Sequence, residues 1–274
     1  MDFNSLKNFD EYSDKYYEML KHRSGFSDLA SVIEPFLHQI IAKGDFYIRV
    51  RAEVLMLILT SGRFKNALEN NGTVTFGGSK TRVESTRLMF NCDKNQMADK
   101  DYPRFGYLSC SDRKANFFGT YDMAYQYGTG VIKLKKNNLF DRTTLTVGSS
   151  LDFFSSAYLV PTRLKSPRAT CIVSFPNPNG LISPLPTSFH SNSLTNLIVL
   201  YESIKNGELN IDNFYTIDEI LGGKVPLFRY FELQFHGDIT TDDIESIDVD
   251  FGELDDSLKT ECKKLNIDIM EQSL

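Results

Sequence analysis

The hexapeptide Glu232-Leu-Gln-Phe-His-Gly237 carries the most chemistry in this chain. Phe228 to His236 is expected to be a strand, with side chains alternating between two faces. Tyr230, Glu232, Gln234 and His236 face one way, and Phe231, Leu233 and Phe235 the other. An amphipathic edge strand is the default source of such alternation. Here the polar face holds an acid, an amide and an imidazole instead of lysine, threonine and serine. A carboxylate and an amide at alternate positions could both reach one bound sugar. An imidazole, titrating near pH ~6.5, suits a donor to phosphate or a base toward an acceptor. A strand-end histidine bonded to a backbone carbonyl is the plain alternative. Gly237 lets another backbone or a ligand approach closely.

These residues need elements to position them. The first sixty residues read as helices, with apolar residues at helical spacing in Asp10–Lys21 and in Ser27–Ile41. A third helix runs from Arg51 to Thr60 and stops at Ser61-Gly62. Beyond Gly62 the segments become short and rich in β-branched and aromatic residues. Thr73–Phe76, Gly106–Ser109, Gly130–Leu134, Arg142–Val147 and Thr170–Phe175 read as strands. The proline-rich stretch 176–186 reads as an irregular loop. Helices are expected near 193–205, 212–221 and 256–265, and strands at 247–251 and 266–270. Helices followed by a mostly strand-based half define an α+β protein. The expected division is an N-terminal helical region, 1–60, on a core, 61–274.

Bulk properties narrow the function. The 274 residues suit one large or two small domains. Lysine plus arginine is 30 and aspartate plus glutamate 36, a net charge of −6. That argues weakly against a dedicated duplex-DNA binder. The basic residues Arg63, Lys65, Arg82, Arg87, Arg104 and Arg113 could still line a groove for a single strand. The cysteines (Cys92, Cys110, Cys171, Cys262) and histidines (His22, His38, His190, His236) are scattered, without zinc-like spacing. Asp248–Asp256 looks calcium-like but fails the EF-hand register, so a solvated acidic face is expected and no metal. Lys133, Lys135 and Lys136 offer a phosphate contact or a solvated strand end. The apolar run Val54–Leu59 is too short to span a bilayer, so no membrane is expected. The N-terminus does not read as a secretory signal. Isolated thiols fit a reducing cytoplasm, of the producing cell or of a target cell.

Four features occur in order over roughly residues 54–270. They are Gly62-Arg63 with Asn70-Asn-Gly72; Pro103-Arg-Phe-Gly-Tyr-Leu-Ser109; Tyr127–Leu134 followed by Asp141–Ser150; and Phe231–Gly237 followed by Asp242–Ile247. Together they resemble a family of bacterial proteins associated with the mono-ADP-ribosyltransferase toxins. The resemblance implies N-terminal helices packed on a split, mainly antiparallel β core, with NAD as co-substrate in the cleft between the sheets. It implies a toxin–antitoxin, anti-phage or interbacterial setting, an acceptor that is protein or single-stranded nucleic acid, and an antitoxin partner.

Breaking the nicotinamide–ribose bond passes through an oxocarbenium-like state, as in glycoside cleavage. That state needs a carboxylate, and the pyrophosphate suits an arginine fork. The arginine–serine–glutamate order of such transferases falls here on Arg63, then Ser109 or Ser149 and Ser150, then Glu232. Glu232 is the expected catalytic carboxylate, Gln234 its substrate-orienting neighbour and His236 a third member. Arg142 is assigned to the second phosphate, Tyr107 and Phe105 on either side of Gly106 to stacking on nicotinamide, and Gly106 and Ser149 to NAD binding. Each has a plainer alternative: a surface arginine, an ion pair, core packing, a turn. Thr143 and Thr144 read simply as strand residues. The family's essential glutamate usually follows a Glu or Gln and one spacer, whereas here glutamate comes first. That reversal motivates one alternative, a catalytically inactive binding protein on the same fold. A hydrolase of NAD or another nucleotide, with Glu232 activating water, is the other.

Overall fold

The structure is a computed structural model and describes residues 28, 32, 35, 36, 41, 42, 44–66, 69, 99–109, 127–147, 157–161, 171–173, 201, 204–207, 231–250 and 252–271. Nine strands form one sheet: β1 (Asp45–Val50), β2 (Arg104–Ser109), β3 (Gly130–Leu134), β4 (Thr143–Val147), β5 (Ala157–Pro161), β6 (Cys171–Val173), β7 (Phe231–Phe235), β8 (Ile244–Val249) and β9 (Asp268–Glu271). Their spatial order is β6-β5-β4-β7-β2-β1-β3-β8-β9. Every neighbouring pair is antiparallel except β8 and β9, which run parallel. Among the described residues the continuous α-helices are α1 (Ala52–Ser61), α2 (Lys136–Leu139) and α3 (Asp256–Lys264). The class is α+β. The described strands make one continuous sheet, where a split core was expected.

Pairing across the sheet sorts its residues by face, because directly opposed residues share a side. One side is apolar. It carries Phe46, Ile48 and Val50 of β1, Leu108 of β2, Ile132 and Leu134 of β3, Leu145 of β4, Phe231, Leu233 and Phe235 of β7, and Ile247 and Val249 of β8, all buried. The Phe46 and Phe235 rings meet with centroids 5.7 Å apart. Helix α1 covers this side: a methyl at Gly130 would stand 3.6 Å from Leu55 Cδ2. Leu55, Ile58 and Leu59 of α1 join Leu258 and Cys262 of α3 in the same core. The other side carries Glu232, Gln234 and Thr144 together with the buried rings of Tyr47 and Tyr107.

Two segments correct the sequence reading. Residues 45–50 are not helical but form a strand near the middle of the sheet. A core beginning at residue 61 would therefore cut through this sheet. The pattern Asp-Phe-Tyr-Ile-Arg-Val alternates, yet almost all of it is buried, which hides the period of two among aromatic and aliphatic residues. Ala157–Pro161 had no assignment and pairs with β4. Asp255 caps α3, its carboxylate accepting from the Leu258 N–H at 2.7 Å. Lys136 fastens the segment before β1: its ammonium donates to the carbonyls of Ile41, Ala42 and Gly44. The phosphate contact considered for this lysine is thus taken by backbone, and Lys133 is paired with Asp45 and Glu245. The expected elements at 10–21, 73–76 and 212–221 and the loop at 176–186 lie outside the described residues.

Candidate functional site

Strand β7 lies between β4 and β2, so it is interior to the sheet. Glu232 is opposite Tyr107, and Gln234 is opposite Phe105 on one side and Thr144 on the other. All five residues of β7 are buried. Glu232 is 2% exposed, and Gln234 and His236 are 0% exposed. The edge-strand explanation of the alternation is therefore overturned: both faces of β7 are covered.

Inside the protein these polar groups bind one another. The Gln234 Nε2 donates to Glu232 Oε1 at 3.1 Å. Thr144 Oγ1 donates to Gln234 Oε1 at 3.0 Å. The same hydroxyl lies 3.0 Å from His236 Nε2. Carboxylate, amide, hydroxyl and imidazole thus form one chain along β7, with its third link supplied by β4. Burial makes such a chain strong when satisfied and costly when broken.

The turn after β7 is held by arginines. Gly237 adopts φ 76°, a conformation that favours glycine. Its carbonyl accepts from Arg104 Nη1 at 2.9 Å. Arg104 also donates to the Phe64 carbonyl at 3.2 Å and to the Lys100 carbonyl at 3.0 Å. Its Nη2 reaches Glu69 Oε2 at 3.1 Å and Asp238 Oδ1 at 3.2 Å. Arg142 donates to the carbonyls of His236, at 3.0 Å, and Asp238, and pairs with Asp243 at 3.3 Å. Burial lowers the pKa of both guanidiniums against the pull of these acids, yet an arginine stays charged. Arg63 makes an isolated bridge to Thr240. Its side chain, 38% exposed, pairs with Glu69 at 2.6 Å and Asp238 at 3.8 Å. Burial pushes the Glu69 carboxyl up, but the Arg63 hydrogen bond, the Asn66 N–H and the charges of Arg104 and Arg63 outweigh it, and the net shift is downward.

The candidate residues therefore separate. The structure brings Glu232, Gln234 and His236 together. Tyr107 is beside Glu232 on the same face, buried, with its ring stacked on Tyr47 at 5.7 Å. Gly106 faces the opposite side, and a Cβ there would meet Tyr47 O at 2.3 Å and the Phe235 ring at 2.7 Å. Its lack of a side chain serves core packing, its plainer alternative. Arg142 holds the turn and pairs with Asp243, the ion pair named as its alternative. Arg104 is buried and cannot line an open basic groove. Ser149, Ser150, Arg82, Arg87 and Arg113 lie outside the described residues. The acidic stretch is not wholly solvated either, since Asp243 and Asp248 are buried.

The chain matches no protein-family model and no curated protein. Geometry and sequence must carry the functional reading between them. Among the described residues no group of three His, Cys, Asp or Glu is placed to hold a metal. No helix among them is long and apolar enough to cross a membrane. The sequence reading missed Thr144 and undervalued Arg104. A threonine in a β-branched strand carries no signal of its own; only the β4–β7 register places it against Gln234.

Proposed function

We propose that this chain is an NAD-dependent ADP-ribosyltransferase, moving ADP-ribose from NAD to a protein or a single-stranded nucleic acid and releasing nicotinamide. The observation that carries the reading is the Glu232 carboxylate, aimed by the Gln234 amide within one hydrogen-bonded chain. A fixed carboxylate is the group that an oxocarbenium-like state requires, and an amide beside it can hold the ribose hydroxyls. The nicotinamide–ribose bond breaks with its electron pair leaving on nicotinamide. The acceptor nucleophile then forms the new bond to ribose and loses its proton. Arg63, the partly exposed arginine beside the turn after β7, is the candidate for the pyrophosphate, exchanging Glu69 for phosphate oxygens. With Glu232 2% exposed, the reading requires the protein to open before NAD reaches it. The resemblance supports a toxin of the ADP-ribosyltransferase fold, working in the cytoplasm of a producing or target cell and restrained by an antitoxin.

Radiolabelled NAD incubated with the protein and a cell lysate tests this. Protease-sensitive label marks a protein acceptor and nuclease-sensitive label a nucleic acid. Glu232→Gln, nearly isosteric, is expected to lower transfer by about 10²–10³-fold. Free ADP-ribose without a labelled macromolecule would turn the reading into hydrolysis. NAD neither consumed nor bound would end it.

One observation favours a second reading, a catalytically inactive binding protein. Glu232, Gln234 and His236 are all buried, and Arg142 is engaged by the turn and by Asp243. NAD binding without turnover, unchanged by Glu232→Gln, is the outcome this reading expects.

A further inference from the structure

We infer that Thr144 is the positioning residue of the Glu232 carboxylate, acting through Gln234, and that His236 carries a proton on Nε2. The inference about activity rests on the transferase reading; the inference about the ring does not.

The protons along the chain can be counted. If the Gln234 amide were turned over, its Oε1 would stand 3.1 Å from the Glu232 carboxylate oxygen, two acceptors in contact. The amide nitrogen therefore faces Glu232, and Oε1 faces Thr144. An amide oxygen has no proton to give, so Thr144 must donate across the 3.0 Å gap. A hydroxyl has one proton. With it spent on Gln234, Thr144 can only accept from His236 Nε2, also at 3.0 Å. The ring then bears its proton on Nε2. The reverse chain is self-consistent as well, but only from a protonated Glu232. The acid would donate to Gln234 Oε1, the amide to Thr144, and Thr144 to a bare Nε2, leaving the histidine proton on Nδ1. The tautomer of His236 thus reports which way the chain runs, and so whether Glu232 is held as a carboxylate.

Thr144 suits a fixed link. It is fully buried, so bulk water cannot replace its hydroxyl, and its branched Cβ restricts χ1. Without that hydroxyl the Gln234 carbonyl loses its donor at 3.0 Å, and the amide that donates to Glu232 is held less firmly.

The test is long-range proton–nitrogen correlation on the full chain with ¹⁵N-labelled histidine near neutral pH, with His236→Gln assigning the signals. We expect Nε2 protonated, in a neutral ring or in an imidazolium. A neutral ring with its proton on Nδ1 overturns the inference, and this measurement needs no Thr144 variant. Thr144→Ser keeps the hydroxyl and should retain the wild-type pattern. Thr144→Val, near-isosteric without the hydroxyl, should give a mixture of tautomers; an unchanged pattern in the folded variant removes Thr144 from the role. In the NAD assay Thr144→Val should lower kcat about tenfold or more, with little change in KM, and Thr144→Ser should recover it. Equal loss in both variants counts against positioning by the hydroxyl. A wild-type protein without NAD turnover would fail the transferase reading while the ring tautomer still judges the chain.

Discussion

Arg104 at the start of β2 donates to the carbonyl of Gly237 at 2.9 Å, fastening the turn after β7 to the neighbouring strand. The same guanidinium reaches Glu69 and Asp238. A single buried fork therefore ties segments near residues 64, 69, 100 and 237. Removing one partner of a buried ionic network strands the others. Arg104→Met is expected to destabilise the fold by about 3–5 kcal/mol. Arg104→Lys should recover little, because one ammonium cannot reproduce the fork. Urea unfolding checks both; a loss within experimental error for Arg104→Met would show that the network adds nothing.

Gly106 sits where β2 passes under Phe235. A methyl there would lie 2.3 Å from a backbone oxygen of β1 and 2.7 Å from an aromatic ring. Gly106→Ala is expected to cost about 1–3 kcal/mol, since the ring can turn but the backbone must move. The midpoint of thermal unfolding reads this directly, and an unchanged midpoint would contradict the close contact.

Glu69 has its pKa held below the ordinary 4.5 by Arg63, Asn66 and Arg104. A carboxylate with a depressed folded-state pKa contributes stability that is complete above its unfolded value. That contribution is lost as pH falls through the folded value. Stability should therefore decline on acidification below pH 4.5, and the Glu69→Gln variant should show a shallower decline over the same range. Equal acid-side slopes for the two proteins would remove Glu69 as a source of the effect.

Cys262 is buried in α3, and burial pushes its thiol up to about 11. A thiol neither exposed nor ionised at neutral pH reacts slowly with alkylating reagents. Mass spectrometry should find Cys262 unmodified in the native protein and labelled only at the rate of unfolding. Rapid labelling without denaturant would show that α3 opens on its own.

Much of the strand-rich half was legible from local patterns. Segments such as Gly130–Leu134 and Phe231–Phe235 combine β-branched or aromatic residues with turn formers at their ends, and their side chains state their own conformation. Asp45–Val50 was not legible, because Tyr47 sets an aromatic ring between Phe46 and Ile48 and blurs an alternation only six residues long. Its neighbours in the sheet, β2 and β3, come from residues 104–134.

Local pattern is enough for the α+β class, most of the described strands and the grouping of Glu232, Gln234 and His236 on one side of a strand. These follow from a period of two, which any extended chain obeys. The interior place of β7, the link from Gln234 to His236 through Thr144, and the hold of Arg104 and Arg142 on a turn emerge only once the strands pair. Those facts depend on register between strands far apart in the chain. The register between β4 and β7 sets Thr144 against Gln234, 90 residues away, and no local propensity encodes it. A one-residue slip would turn Thr144 to the apolar side and put Thr143 or Leu145 in its place.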